Sequence, residues 1–445
     1  MDNLTINRIK SKPTARSLVL LGVYLLGAME IFHRGGTADF FSIEKIIYLV
    51  LFSVIITIWL LKQLVQKEFF QVFEEERCNW LVLAFLAYSC IFIPIIGIYY
   101  DTPMVYAFRS QLRFLNLLLI PVIYSEVNSK ESIWHFFIYI FLIIIITSIL
   151  DIFYIRSYDV PISLYEEDYE LRSCFYMASI PILIALFQSN RLNTFKVAIF
   201  MILLLFFMYR YYLRYDRFHF AGLVMLIGLA LFIQLVSKNG SRGFILGFLG
   251  FSLLLVLIIS YLQINYNIFA RHLERFRYVE SGAMGRLEEW KAGMQLFYHN
   301  PLFGGGGGRP ITFLRGGIKV THAYTHNIIV WHLTYGGIIG FFLYFSIWWR
   351  FFSMSWRLLR RVRLEQRDFI VLTGCLLSAS YLLANSMLQT FFLRQEANFL
   401  FAVCIALVLC IHRNYRHELV PVKDSERAGY IPPNRGPMRV TSGIN

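Results

Sequence analysis

Charge is the first thing in short supply. Only 16% of the 445 residues are Asp, Glu, Lys or Arg, where soluble domains carry about a quarter. That scarcity excludes the two or three ordinary soluble domains that the length alone would indicate. A soluble basic module is missing too, so the net charge of +14 is not a nucleic-acid footprint. The six cysteines (Cys78, Cys90, Cys174, Cys375, Cys404, Cys410) lack metal-like spacing and fall mostly in apolar runs. This excludes a disulfide framework and leaves buried thiols. No small-residue cleavage site follows the basic N-terminal segment. The apolar run from Ser17 is therefore expected to be a retained first helix and not a signal peptide. The two halves show no clear internal repeat. No Lys-Ser or Lys-Thr follows the glycines of "HNPLFGGGGGRP" at 299–310, so they are not a Walker loop.

What the chain has in excess is apolar length. Hydrophobic residues make up 57%, in runs such as "AIFMILLLFFM" and "FILGFLGFSLLLVLII". Runs of about 20 apolar residues read as transmembrane helices. About twelve spans are expected, at 17–32, 43–62, 80–100, 103–124, 133–155, 173–189, 194–213, 219–237, 243–264, 326–349, 369–391 and 396–412. The expected fold is an all-α polytopic membrane protein. Nine spans lie in 1–264, a helical periplasmic lid in 265–325, three spans in 326–412 and a disordered cytoplasmic tail in 413–445. The segment "RFFSMSWRLLRRVRLEQRD" carries six arginines and must be cytoplasmic by the positive-inside rule. An even span count then puts both termini inside, with "QSNRLNTFK" and "SKNGSR". Arg242, in the latter, anchors a helix end.

Two arginine-rich segments fall outside under this topology. One holds Arg210, Arg214 and Arg217. The other, the 265–325 loop, holds Arg271, Arg275, Arg277, Arg286, Arg309, Arg315 and Lys319. Outer cations oppose the orientation rule. Contacts to anionic lipid would explain them, and so would an anion site, for which a diphosphate suits the guanidinium fork. Arg109 and Arg113, within the fourth span, must face the bundle interior or a polar cavity.

Within the outer loop, "GRLEEWKAGMQLFYHN" has helical periodicity. It is expected to start after Gly285 and to end at Asn300–Pro301. Arg286 then lies in the first turn, held by Glu289 and beside free N–H groups that favour an anion. The five glycines that follow are expected to form a mobile hinge carrying the chain back toward His326. His322 and His326 sit four residues apart where the chain re-enters the membrane. Such a pair can bind zinc, but no third ligand is evident in the sequence, so no metal is expected. A neutral histidine near arginines has its proton affinity lowered and is a candidate base near neutral pH. His332, deeper in the span, is expected to be packed or hydrogen-bonded. The acidic loop "YEEDYE" at 165–170 reads as a counter-ion patch in preference to a divalent-metal site.

The order "LRYDRFHFAGL", "GRLEEWKAGMQLFYHNPLFGGG" and "THNIIVWHLTYGGIIGFF" resembles the O-antigen ligase and polymerase family of bacterial envelope glycosyltransferases. The likeness is strongest over 280–345 and weaker upstream to 210. It implies twelve helices with a periplasmic lid in the bacterial inner membrane, and a glycan donor on undecaprenyl diphosphate. The acceptor is lipid A-core sugar in ligases and a lipid-linked repeat unit in polymerases. The family works without nucleotide sugar, metal or other cofactor. Carried over, the catalytic set falls on His326, Arg286 and Arg217. Arg214, Arg210, Arg309, His322 and Asn327 are candidate substrate-binding residues. "YDRFHF" departs from the family's small-residue context around Arg217. Ligase is preferred over polymerase. A flippase for lipid-linked sugar also fits the span count and the intramembrane arginines, but the missing repeat and the one-sided outer loop speak against it.

Overall fold

The computed structural model describes residues 13–32, 43–157, 181–186, 202, 217–240, 279–315, 317–387 and 391–419. Its helices are α1 (Pro13–Phe32), α2 (Ile43–Gln66), α3 (Phe69–Glu75), α4 (Arg77–Ala87), α5 (Ile93–Tyr99), α6 (Met104–Leu112), α7 (Leu119–Glu126), α8 (Lys130–Ser157) and α9 (Arg217–Val236). There follow α10 (Val279–His299), the strands β1 (Ile311–Arg315) and β2 (Ile318–His322), α11 (Ile328–Arg361), α12 (Gln366–Ser386), α13 (Gln395–Asn414) and α14 (Arg416–Leu419).

Among the described residues, five helices are long and apolar enough to cross a membrane: Ile46–Gln66, Arg77–Tyr99, Ile328–Arg361, Gln366–Ser386 and Ala397–Asn414. Each matches an expected span. Leu18–Met29 and Met225–Val236 are shorter apolar helices at two more. The expected spans at 173–189, 194–213 and 243–264 lie wholly or mostly outside the described residues. The expected span at 103–124 is not one α-helix. It is α6, a 3₁₀ segment at Arg113–Leu118, and α7. Its polar residues explain the break. Buried Asn116 accepts from Tyr48 Oη (2.9 Å) and donates to the Gln395 carbonyl (2.9 Å), so this segment is tied to α2 and α13.

The bundle has two chemically different ends. At one, buried Glu76 accepts two hydrogen bonds from Arg350, at 3.2 and 2.8 Å. Lys62 donates to both oxygens of buried Glu126, at 2.6 and 2.7 Å. Arg413 bonds the Tyr124 and Val127 carbonyls, and Lys238 bonds the Arg361 carbonyl. A carboxylate taken from water costs several kcal/mol unless paired in this way. The arginine-rich C-terminal end of α11 and the connection after it share this end with the 62–76, 126–130 and 236–240 connections, in agreement with the relative sidedness read from charge.

At the other end lie Tyr99–Pro103, Asn300–Arg309 and the start of α11. Tyr88–Phe92 forms a π-helical turn between α4 and α5, and Tyr88 Oη donates to the Gly336 carbonyl (2.8 Å). There α11 kinks, with Gly337 at φ 60°, ψ −164°.

The glycine run fills the notch this makes. Gly304–Gly308 are all buried. Gly305 N donates to the Thr334 carbonyl (2.6 Å), Gly306 N to that of Tyr335 (3.2 Å) and Gly307 N to that of Ile93 (2.9 Å). A Cβ on Gly306 would lie 2.2 Å from Gly97 N, and one on Gly308 2.5 Å from the Tyr106 carbonyl oxygen. Gly306 and Gly308 also hold positive φ, 80° and 70°. The mobile-hinge expectation is therefore corrected. The run is a buried wedge between α5, α6 and α11, and glycine is required because main chain meets main chain with no space for a side chain.

Candidate functional site

Three pieces converge at this end: α10, the β1–β2 hairpin and the N-terminus of α11. The hairpin was not expected in a helical lid. Ile311 and Phe313 of β1 are buried and alternate with outward Thr312 and Leu314, the period-2 pattern of a half-buried strand. Pairing runs Ile311↔His322 through Arg315↔Ile318.

Helix α10 starts at Val279, so Arg286 is its eighth residue and not in the first turn. The expected help from free N–H groups at the helix start is therefore withdrawn. One face of α10 carries Gly285, Glu289 and Gly293, at four-residue spacing. A Cβ on Gly293 would lie 2.7 Å from Thr334 Oγ1, and one on Gly285 2.9 Å from Arg315 Cγ. The two glycines let α10 lie close against α11 and the hairpin, and Glu289 sits between them.

Glu289 does not hold Arg286 as expected. It is 2% exposed, and its carboxylate turns to the histidines 33 and 37 residues on. Oε1 accepts from the His326 backbone N–H. Oε2 lies 2.7 Å from His326 Nδ1 and 3.8 Å from His322 Nε2. A buried carboxylate needs such donors.

The rings continue the cluster. Phe313 meets His322 edge to face at 5.1 Å. His322 stacks on Tyr324 at 4.0 Å and 7°. Tyr324 meets His326 edge to face at 5.3 Å. His326 is the partly open member, with 27% of its side chain exposed against 14% for His322. Asn327 is the N-cap of α11. Its Oδ1 accepts from Ile329 N (2.9 Å) and Val330 N (3.1 Å), and its Nδ2 donates to the Met387 carbonyl (2.8 Å). These bonds tie its amide to backbone at the start of α11, directly after His326. His332 is fully buried among aromatic rings, 4.1 Å from Tyr344. It is packed, and neither ring nitrogen has a hydrogen-bond partner.

Of the other expected site residues, Arg286 is half-buried on α10, and the Arg315 side chain crosses the adjacent Gly285. Arg309 lies with its guanidinium 4.6 Å over the Tyr100 ring, at the edge of the glycine wedge. Arg217 is the first residue of α9. Arg214, Arg210 and the acidic loop at 165–170 lie outside the described residues. Among the described residues, no group of three or more His, Cys, Asp or Glu is arranged to hold a metal ion. Sequence reading missed the partner of Glu289, the hairpin and Tyr324. The available signal was the four-residue spacing of Gly285, Glu289 and Gly293, which marks a helix face meant for close contact.

Burial holds the His322 ring below the ordinary histidine value, against the opposing pull of Glu289. Its neutral form therefore stabilises the docked hairpin above about pH 6.5. That contribution is lost as pH falls through the lower folded value. Protection of the β1–β2 amides, corrected for the intrinsic pH dependence of exchange, is expected to fall in acid, and His322→Phe, which keeps the stack on Tyr324, is expected to remove that loss.

Apolar spanning helices, paired buried charge at one end and a histidine–carboxylate site with arginines at the other define a multi-pass membrane protein with a polar site at one end of its bundle. Residues 177–345 match the family model described as O-Antigen ligase, which supports the resemblance to the O-antigen ligase and polymerase family. The match includes Arg217, Arg286, Arg309, His322, His326 and Asn327. No curated protein matches the chain.

Proposed function

We propose that this protein is a membrane glycosyltransferase of the O-antigen ligase type. It moves a glycan from undecaprenyl diphosphate to a lipid A-core sugar, with inversion and without a metal. The observation that carries this reading is the convergence of His326, partly open and tethered by a buried carboxylate, with the arginine-bearing helix α10 at one end of the bundle. Under the positive-inside assignment, this end faces the periplasm of the bacterial inner membrane, and both termini are cytoplasmic.

In the proposed reaction, Arg286 and Arg217 hold the donor diphosphate. An acceptor hydroxyl gives its proton to His326, and its oxygen attacks the anomeric carbon. The bond from that carbon to the diphosphate oxygen breaks, and the electron pair leaves with the diphosphate. Attack from the side opposite the leaving group inverts the anomeric centre. Positive charge aimed at the departing group lowers the barrier, because the charge being stabilised develops in the transition state.

The test is transfer by purified protein in detergent, with a polyprenyl-diphosphate-linked glycan as donor. Product on lipid A-core supports a ligase, and product on a second lipid-linked unit moves the assignment to a polymerase. A protein that binds donor and forms neither product is no transferase. Arg286→Ala is expected to lower kcat/KM by about a hundredfold, the scale of losing one charged donor to a developing anion. Full activity in that variant would remove Arg286 from the mechanism.

A further inference from the structure

We infer that Glu289 is a positioning residue that makes Nε2 of His326 the basic nitrogen of the site. This rests on the transferase reading above and adds to it a role for the carboxylate that tethers His326. As a carboxylate, Glu289 has only acceptors to offer. Oε1 is taken by the His326 backbone N–H, which can only donate. Oε2, 2.7 Å from Nδ1, then takes the ring proton there. With Nδ1 as the donor, the neutral ring carries its lone pair on Nε2. The proton released by the acceptor hydroxyl goes to Nε2, and the imidazolium so formed lies against a buried negative charge. The same logic orients the histidine of serine hydrolase triads. The two bonds to one carboxylate also fix the backbone and the ring of His326 together, so its aim does not depend on substrate.

The environment of Glu289 supports this use. The carboxylate lies on the glycine-flanked face of α10, where close contact with the α11 start excludes water. The groups facing His326 are Glu289 from α10 and His322 and Tyr324 from the hairpin and its connector. Tyr335 of α11 lies within electrostatic reach of Glu289. Arg315 of β1 crosses α10 at Gly285, one turn before Glu289.

Glu289→Gln tests the inference with the full-length protein and the same donor. Gln keeps the shape and the acceptor for the backbone N–H, but offers an N–H to Nδ1 and so selects the wrong tautomer. The expected result is a kcat about a hundredfold lower or more, with KM little changed and the acid limb of kcat/KM moved to lower pH. Unchanged kcat and an unmoved limb, in a variant that elutes as a folded protein, would overturn the assignment. If Glu289→Gln does not fold, Glu289→Asp decides. The retained carboxylate is expected to keep the wild-type acid limb at reduced kcat, and a limb shifted to lower pH would count against it. His326→Ala separates the two layers. Unchanged transfer in His326→Ala removes the base reading itself. Loss in His326→Ala with no effect of Glu289→Gln removes Glu289 alone.

Discussion

Replacing His326 with alanine is expected to lower glycan transfer by at least about a hundredfold, the usual contribution of a positioned general base. Part of the consequence is structural. Glu289 keeps the backbone N–H but loses the Nδ1 donor, and an under-satisfied buried acceptor costs about 1–3 kcal/mol. His326→Ala is therefore expected to unfold at lower temperature as well as to lose transfer. His326→Gln separates the two effects, because an amide N–H can still reach Glu289 while no base remains. The expected pattern is loss of transfer in both variants and loss of stability mainly in the alanine variant. Thermal unfolding of the detergent-purified proteins, beside the transfer assay, reads both. Wild-type transfer in His326→Gln would show that the ring only orients the acceptor and takes no proton.

Gly306→Ala is expected to be the most disruptive single methyl group at this end of the molecule. Its φ of 80° is unfavourable for alanine by about 1–2 kcal/mol. The added Cβ meets Gly97 N at 2.2 Å, and backbone cannot turn aside as a flexible side chain can. Overpacking of this kind costs a further 1–3 kcal/mol or so, about 3 kcal/mol in all. Gly317 is the control. It also holds positive φ, 84°, but nothing lies within 4 Å of its Cβ position. Gly317→Ala should therefore bear only the conformational cost, confined to the hairpin tip. Equal and small shifts in melting temperature for the two variants would refute the wedge. A wedge also predicts an effect on transfer, because the run of glycines links α5 and α6 to α11, whose N-cap directly follows His326.

Much of this molecule was legible before any tertiary structure. The spanning helices follow from apolar runs, and the shared end of the basic connections follows from the placement of arginine. His326 and Arg286 are legible as a pair of interest, from cations that the positive-inside reading puts on the outer side and from the resemblance around them. The errors were of one kind. Arg286 was placed at a helix start because Gly285 looked like a boundary, whereas α10 begins six residues earlier and uses Gly285 for close approach. Glu289 was assigned to its helical neighbour because three-residue spacing is visible in one dimension, and a partner 37 residues away is not. The glycines read as a hinge in one dimension because glycine relaxes the backbone as readily as it allows two backbones to touch.

Read along one dimension, the chain sets the solvent each segment prefers. Hydropathy and charge are sums over a local window, and the bilayer reads them locally. It therefore determined the membrane class, the helices and the two unlike ends. Which groups meet is a matter of packing in three dimensions: Glu289 with His326, Phe313 with His322, Gly306 with Gly97. Those contacts depend on the angle and depth at which α10, the hairpin and α11 pack, and packing is set by shape complementarity between segments far apart in the chain. The chemistry of the site lives in these meetings, because a carboxylate orients a histidine only at hydrogen-bond distance.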